Sequence, residues 1–256
     1  MIPGGAGEQS RGELAVAIAA VRAAAAAAQA ARAQPLRPRA KSVPADLVTE
    51  ADAAAERAAA TVIRRDRPDD GILGEEGTQQ SGNGRRWLID GVDGTVAFAN
   101  GLPGGWCSAV ALEDDEGPLA AAVLDPAANE LHTAARDHHV NTVRRTHRLA
   151  DAHIATFLRQ DRLVLPGVRE AAHALLDHAG LIRHAGPGSL ELAWVAAGRL
   201  DAWIQPLVDP WDWLPGALLV TQAGGTARVL EHTPTRWHVA GPAPLVDELE
   251  ALLLRQ

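Results

Sequence analysis

The stretch from Trp87 to Thr95 places two acidic residues at the end of an apolar run. It reads WLIDGVDGT, so Asp90 and Asp93 lie three residues apart and are followed by Gly94 and Thr95. Three interpretations compete: a plain turn, a metal site, and a covalent site for phosphoryl transfer. Carboxylates held close together repel each other unless a cation or a proton lies between them. Hard cations such as Mg2+ prefer clusters of several oxygen ligands. The metal interpretation therefore requires further carboxylates from elsewhere in the chain.

Further carboxylates stand where strands are expected to meet turns or helices, namely Asp52, Glu75, Glu76 and Asp212. Each has a plain explanation when taken singly. Asp52 and Asp212 can cap helices, and the two glutamates can form a solvated pair. Functional side chains are nevertheless often mounted at such strand ends, so the set as a whole favours a metal site.

Two specific alternatives are tested by spacing. A calcium-binding EF-hand loop that began at Asp90 would need a glutamate at its twelfth position, but that residue is Gly101. Phosphatases of the haloacid dehalogenase type carry Asp-x-Asp-Gly-Thr with a nucleophilic first aspartate, whereas this chain has one more residue between the two aspartates. The spacing excludes the calcium loop and argues against a covalent aspartyl phosphate.

Alternating strand and helix patterns predict an α/β fold that can position these side chains. We expect a long helix over about residues 10–34, a helix capped by Thr49 or Asp52, a strand at RRWLID, and an antiparallel meander over about residues 106–135. The polar segment after the meander suggests two halves, 1–140 with most of the acidic residues and 141–256 with Asp212.

In the second half, RLVLP predicts a strand, and SLELAWVAAG predicts a helix with Ser189 as its N-cap. WLPGALLVTQAGG predicts a helix with Pro215 in its first turn. Strands and helices alternate through the rest of this half.

Composition narrows the function classes. The chain has 256 residues and a formal net charge of -8, which argues against a broad nucleic-acid surface. Its one cysteine, Cys107, is expected to be a small buried residue, and the lack of an intrachain disulfide fits a reducing, cytoplasmic setting. The apolar stretch Leu14 to Val21 is too short for a membrane span, so we expect neither a secretory signal nor a membrane partner.

Four motifs resemble those of the inositol monophosphatase family of magnesium-dependent, lithium-sensitive phosphomonoesterases. They are KSVPADLVTEAD, GEEG, WLIDGVDGTVAFANGLPGGWCSAVAL and PWDWLPGALLVTQAGG, in the family's order. The resemblance implies a layered αβαβα sandwich of the inositol monophosphatase and fructose-bisphosphatase type. It also implies a homodimer and hydrolysis of a small phosphate monoester.

The resemblance also implies roles for single residues. Two or three Mg2+ ions would be held by side chains and one carbonyl group from Glu75, Glu76, Asp90, Val92, Asp93 and Asp212. Asp52 and Thr95, with Glu75, would serve catalysis, and the backbone of Gly94 and Thr95 would bind phosphate. Lys41 would lie near the site. Arg183, Gln205 and Trp213 are expected to face the substrate.

Departures from the family pattern fall mainly on the substrate side. Ala97 replaces a common asparagine, Gln205 stands near a usual glutamate, and Gln222 replaces another glutamate. We therefore expect an active phosphatase whose substrate is not plain inositol phosphate. The alternatives are histidinol phosphate, a 3'-phosphoadenosine nucleotide, or a non-catalytic relative.

The metal loop also departs from the pattern, because Gly91 stands where proline is usual. Glycine makes a loop more flexible in the unfolded chain. Gly91→Pro is therefore expected to tighten Mg2+ binding.

Overall fold

Two β-sheets alternate with three layers of helices in the computed structural model of the chain. The structure describes residues 5–33, 38–40, 47–144, 146, 148–231 and 233–255, without the side chains of residues 5–10 and 47. The helices are α1 (Gly5–Arg32), α2 (Glu50–Asp66), α3 (Thr95–Asn100), α4 (Val168–His178), α5 (Gly188–Ala196), α6 (Pro210–Gln222) and α7 (Ala243–Leu253).

The first large sheet has six strands in the order β4-β3-β5-β6-β7-β8. They are β3 (Gly71–Gly74), β4 (Gln79–Gln80), β5 (Arg86–Asp93), β6 (Cys107–Asp114), β7 (Gly117–Asp125) and β8 (Glu130–Ala135). β3 and β5 run parallel, β5 pairs antiparallel with β6, and β6 to β8 form the predicted antiparallel meander. A separate two-stranded ribbon pairs β1 (Arg39–Ala40) with β2 (Leu47–Val48).

The second large sheet has five strands in the order β10-β9-β11-β13-β12. They are β9 (His153–Thr156), β10 (Leu181–His184), β11 (Ala202–Pro206), β12 (Thr226–Leu230) and β13 (Trp237–Gly241). β9 is parallel to both of its neighbours, whereas β13 is antiparallel to β11 and β12.

Three hydrophobic cores separate the layers. The first lies between α1, α2 and the outer face of the six-stranded sheet. The second fills the middle layer, where α5 and α6 lie between the two sheets, and the third lies between the five-stranded sheet and α4 and α7. This order of layers confirms the predicted αβαβα sandwich.

Helix α1 buries a stripe of small side chains. Val16, Ala17, Ala20, Val21 and Ala24 are at most 5% exposed, and their spacing of three and four residues defines one helical face. The range Arg11–Arg32 is long and apolar enough to cross a membrane by length and composition alone, which the sequence expectation did not anticipate. In this structure the stripe packs in the first core, against α2 and the sheet.

Three local predictions in the second half are wrong. The RLVLP segment forms turns with local hydrogen bonds, Leu163 N to Arg159 O (3.2 Å) and Leu165 N to Arg162 O (3.1 Å). Its alternating leucines are partly buried against the third core without joining a sheet.

Helix starts account for the other two errors. The N-cap of α5 is Pro187, two residues before the predicted Ser189, so Ser189 lies inside the helix. Pro210 occupies the start of α6, which places Pro215 within the helix.

Gly91 allows β5 to approach α2 closely. A Cβ atom at this position would lie 2.7 Å from the Cβ of Ala55 and 2.7 Å from the backbone nitrogen of Glu56. Both distances are shorter than a van der Waals contact, so a side chain or a proline ring does not fit without displacing the helix. The structure therefore contradicts the expectation that proline would improve this loop.

We predict that Gly91→Pro and Gly91→Ala destabilise the fold by about 1–3 kcal/mol, as overpacked sites commonly do. Urea denaturation would measure the free energy of unfolding. Gly12→Ala is the control, because its nearest neighbour is the flexible end of Arg67 at 3.2 Å. This change should be neutral or stabilise α1 by up to about 1 kcal/mol. A Gly91→Pro variant as stable as the wild type would contradict the packing argument.

Candidate active site

A β-bulge in β5 brings Asp90 and Asp93 to one side of the strand. Asp90 lies opposite Ala109, whereas Asp93 lies opposite Cys107, so three steps along β5 match two steps along β6. Side chains alternate between the two faces of a regular strand, and the extra residue cancels that alternation. The backbone N–H of Val92 donates to Asp90 Oδ1 (2.9 Å) and closes the bulge. Both carboxylates therefore face the same point.

The third carboxylate comes from α6. Asp212 lies in the first turn of this helix, after the N-cap Asp209 and Pro210. One oxygen atom from each of Asp90, Asp93 and Asp212 can be chosen so that all three lie within 4.8 Å of one another. The structure thus brings together three of the predicted metal ligands from distant parts of the sequence.

Glu75 lies in the turn that follows β3 and lines the same cavity as the three aspartates. Its backbone N–H donates to Ile89 O (3.2 Å), which ties the turn to β5. Glu56 on α2 holds the rest of the turn, since its carboxylate accepts from the backbone N–H of Glu76 (2.5 Å) and of Thr78 (2.7 Å). The sequence analysis missed Glu56, although it lies four residues after Asp52 on the same helical face.

Burial, with repulsion between neighbouring carboxylates, shifts the pKa values in this cluster. Burial raises the pKa of Asp90 well above its usual range, and the charges of Glu75, Asp93 and Asp212 raise it further. Burial also raises the pKa of Asp212, with Asp93 and Glu75 adding to the effect. The pKa of Asp93 is raised by burial and partly lowered by hydrogen bonds from Ser189. Such carboxylates fit a divalent cation, which supplies the missing positive charge and prefers oxygen ligands.

Asp52 and Thr95 form a second arrangement beside the carboxylates. Asp52 is buried, and its Oδ1 accepts from the Thr95 hydroxyl at 2.6 Å. Its Oδ2 accepts from the hydroxyl (2.6 Å) and the backbone N–H (2.8 Å) of Thr49, which completes a capping box at the start of α2. Asp52 is therefore a helix-capping residue and a partner of Thr95 at the same time.

Helix α3 starts at Thr95, directly after Gly94. Gly94 has φ 95°, and a Cβ atom there would lie 2.3 Å from the carbonyl oxygen of Gly105. Only glycine fits this position. Gly94 and Thr95 both line the cavity, next to the carboxylates.

The carboxylates open into a cavity of ≈ 340 Å³. Its other walls are mainly apolar, formed by Val96, Ala97, Leu102 and Phe157. A neighbouring cavity of ≈ 270 Å³ shares Glu75, Phe157, Arg159 and Asp212 with it, and adds Arg162, Gln205, Asp209 and Trp211. Phe157 and Arg159 were missed by the sequence analysis, since they follow a strand that was placed several residues too late.

The predicted substrate-facing residues are only partly found at these cavities. Gln205 lines the neighbouring cavity, as does Trp211. Trp213 is buried, with its ring centroid 5.9 Å from that of Trp203 and 5.0 Å from that of His238, so Trp211 takes the place expected for it.

Three further residues were assigned to the site. Arg183 turns away from both cavities, and its Nε donates to Glu191 at 3.1 Å. Glu76 likewise is not among the described residues that line the cavities. Lys41 lies outside the described residues. Cys107 is buried as expected, with its sulfur 3.9 Å from Asp93 Oδ2.

Comparison of the sequence with known proteins finds a matching family and several relatives. A sequence profile of the inositol monophosphatase family matches residues 10–249. Nus factor SuhB of Xylella fastidiosa is 36% identical over 187 residues, covering 70% of this chain and 68% of that protein. Inositol-1-monophosphatase of Rhizobium meliloti is 38% identical over 193 residues, covering 71% of each. Histidinol-phosphatase of Mycobacterium tuberculosis is 34% identical over 206 residues, covering 76% of each.

Solved structures agree with the layered fold. The crystal structure of the extragenic suppressor protein SuhB from Bartonella henselae matches with a TM-score of 0.82 and 29% sequence identity. The match covers 93% of this chain and 96% of that chain.

We predict that removing one repelling charge has opposite effects with and without a divalent cation. Asp212→Asn should raise the melting temperature in EDTA, by about 2–4 °C for each kcal/mol of relieved repulsion. The same change should reduce the further rise that millimolar Mg2+ produces, because a ligand is lost. Thermal unfolding followed by fluorescence would measure both shifts. Asp115→Asn, on the exposed β6–β7 turn, is the control and should alter neither.

The same cluster predicts the sign of a pH dependence. Carboxyl groups with a raised pKa in the folded state make their full contribution to stability at pH values below the unfolded-state pKa of about 4. That contribution is lost as the pH rises through the raised folded-state pKa values. Mg2+ should restore it, so the Mg2+-induced rise in melting temperature should grow from about pH 5 to about pH 8. An Mg2+ effect that stays constant over this range would contradict the assignment.

Proposed function

The chain belongs to the inositol monophosphatase family, and from this we infer that it hydrolyses a small phosphate monoester by a Mg2+-dependent attack of water. Members of the family are phosphoric monoester hydrolases, so the class of reaction follows from membership. The observation that carries the rest is the convergence of Asp90, Asp93 and Asp212 within 4.8 Å beside the Asp52–Thr95 pair.

We propose that two or three Mg2+ ions occupy the acidic end of the cavity. Asp90, Asp93 and Asp212 would hold them with Glu75 and the carbonyl oxygen of Val92, and Glu76 is a weaker candidate, since it is not among the residues lining the cavity. When bound, such ions neutralise phosphate charge, lower the pKa of coordinated water and stabilise the leaving alkoxide. Lithium sensitivity and a homodimer remain expectations from the family resemblance.

Asp52 and Thr95 are proposed to orient the attacking water. The Thr95 hydroxyl donates a hydrogen bond to Asp52 Oδ1, so the lone pairs of the Thr95 oxygen can accept a hydrogen bond from water. Asp52 is itself fixed by two hydrogen bonds from Thr49, so the direction of the Thr95 hydroxyl is set before substrate binds. The backbone N–H groups of Gly94 and Thr95 are proposed to hold the phosphate. The protein's own contribution is therefore positioning.

We predict that Thr95→Ala lowers kcat by about 10²–10⁴-fold, the range typical of a positioned proton-transfer partner. Thr95→Ser keeps the hydroxyl and should retain most activity. Release of inorganic phosphate in millimolar Mg2+ would measure the rates. Thr61→Ala, which removes an exposed helical hydroxyl bonded to Arg57 O, is the matched control and should not change them.

The alternative to be tested is a non-catalytic relative. Retention of Asp90, Asp93 and Asp212 argues against it. No phosphate release from a broad panel of monoesters, combined with no stabilisation by Mg2+, would overturn the enzymatic proposal.

The substrate is proposed to be a specialised monoester other than plain inositol phosphate. Apart from the acidic groups, Thr95 and Arg159, the larger cavity is lined by apolar residues and glycines, among them Val96, Leu102 and Phe157. A polyol would bring several hydroxyl groups against these side chains, and buried hydroxyls without partners are unfavourable. A leaving alcohol with an apolar or aromatic face fits this wall better, so polyol, cyclitol and sugar phosphates are less favoured than an amino-alcohol phosphate.

Histidinol phosphate is the second candidate that a specific observation favours. Its imidazole ring can pack against Phe157, and Asp209 in the neighbouring cavity offers a negative charge to its ammonium group. One relative, 34% identical to this chain, is a histidinol-phosphatase. A 3'-phosphoadenosine nucleotide also carries a flat ring, but its further phosphate groups would add to the demand for positive charge.

We predict that Phe157→Ala lowers kcat/KM for histidinol phosphate by about 10-fold or more, as loss of an apolar contact does. The effect on myo-inositol 1-phosphate should be much smaller. Steady-state kinetics with both substrates would show the difference, and Val164→Ala, a 73% exposed apolar residue, is the control. Equal losses for the two substrates, or a wild-type preference for inositol phosphate, would contradict the apolar-wall argument.

A further inference from the structure

The segment between β10 and α5, residues 185–187, lies directly behind the acidic site together with the first residues of α5. Ala185 and Gly186 line the larger cavity. The backbone N–H of Ser189 donates to Asp93 Oδ2 at 2.7 Å. Pro187 also packs close to Gly94, since a Cβ atom placed on Gly94 would lie 3.2 Å from the Cβ of Pro187. The path of this segment therefore fixes one oxygen of Asp93.

Glu191 holds that segment from inside the protein. Its side chain is fully buried, and its Oε1 accepts from the backbone N–H of Gly186 (2.9 Å) and from Arg183 Nε (3.1 Å). Arg183 in turn lies with its guanidinium 5.0 Å from the centroid of the Trp194 ring. One carboxylate thus ties the end of β10, the segment and the first turn of α5 together.

The contacts of Glu191 are directed at the segment and away from the reaction. Its other oxygen, Oε2, is buried without a hydrogen-bond partner among the described residues. Burial raises the pKa of Glu191 to about 8, although Arg183 and the N–H of Gly186 act to lower it. A buried acidic group is expensive to retain for packing alone, because an apolar residue of similar size is often as stable or more stable there.

We infer that Glu191 is a positioning residue that sets the orientation of Asp93 for metal binding, by holding Gly186 and thereby the Ser189 N–H. This inference rests on the proposed metal-dependent function. Groups that orient metal ligands commonly contribute 10–100-fold to metal affinity without touching the ion. Glu191 belongs to this kind of group, and so does its partner Arg183 through the shared Oε1.

The test compares Glu191→Leu and Glu191→Met, which remove the acceptor, with Glu191→Gln, which keeps an oxygen in its place. The readout is the Mg2+ concentration that gives half of the maximal rise in melting temperature, with calorimetric titration of Mg2+ as a second measurement. Glu191→Leu and Glu191→Met should raise this concentration by about 10-fold or more. Glu191→Gln should stay close to the wild type.

A control separates positioning from stability. Glu130→Leu breaks the surface ion pair with Arg199. Neither residue is among those that line the two cavities at the acidic site, so this variant should leave the Mg2+ concentration for half of the effect unchanged. If the acceptor-free variants lose stability but keep wild-type Mg2+ affinity, Glu191 is only structural and the inference is overturned. It is overturned equally if Glu191→Gln is as impaired as Glu191→Leu. A wild type that neither binds Mg2+ nor releases phosphate would instead refute the proposed function.

Discussion

Mutual repulsion among buried and half-buried carboxylates is the constraint on which the site depends. Asp90, Asp93 and Asp212 share a space of a few ångströms with Glu75 close by, and burial strengthens the repulsion. Left to relax, such side chains would turn toward solvent or take up protons. Their convergence therefore requires a scaffold that prevents them from moving apart, and several elements of the fold serve that purpose.

Each acidic group is held by a different local device. The bulge in β5 turns Asp90 and Asp93 to one side. Asp212 is fixed in the first turn of α6, and Glu56 holds the turn that carries Glu75. These devices belong to the six-stranded sheet, to the helical layer between the sheets and to the outer layer that contains α2, so the layered architecture itself sets the distances among the ligands.

The sequence was most informative where the functional residues lie close together in the chain. The WLIDGVDGT motif and the alternation of strands and helices were readable from the sequence pattern, and the family resemblance implied Asp52, Glu75 and Asp212 as partners of the motif. Contacts between distant residues were not readable in this way. The orientation of Arg183 away from the cavities depends on its contacts with Glu191 and Trp194. Trp211 lines a cavity and Trp213 is buried because the two residues lie on different sides of α6. The RLVLP segment has the alternating pattern of a strand, but its leucines pack against the third core from a turn. No local sequence pattern reveals this packing.

Asp52 connects the folding of α2 to the geometry around Thr95, because one carboxylate bonds both Thr49 and Thr95. In a descendant that had abandoned catalysis, selection for a stable helix would still preserve this aspartate. Asp93 and Asp212 would be under the opposite pressure, since their charges weaken the fold whenever no cation is present. If a relative lost its activity during evolution, the metal ligands would therefore be replaced first and Asp52 last. Retention of Asp212 is thus a better indicator of an active enzyme than retention of Asp52.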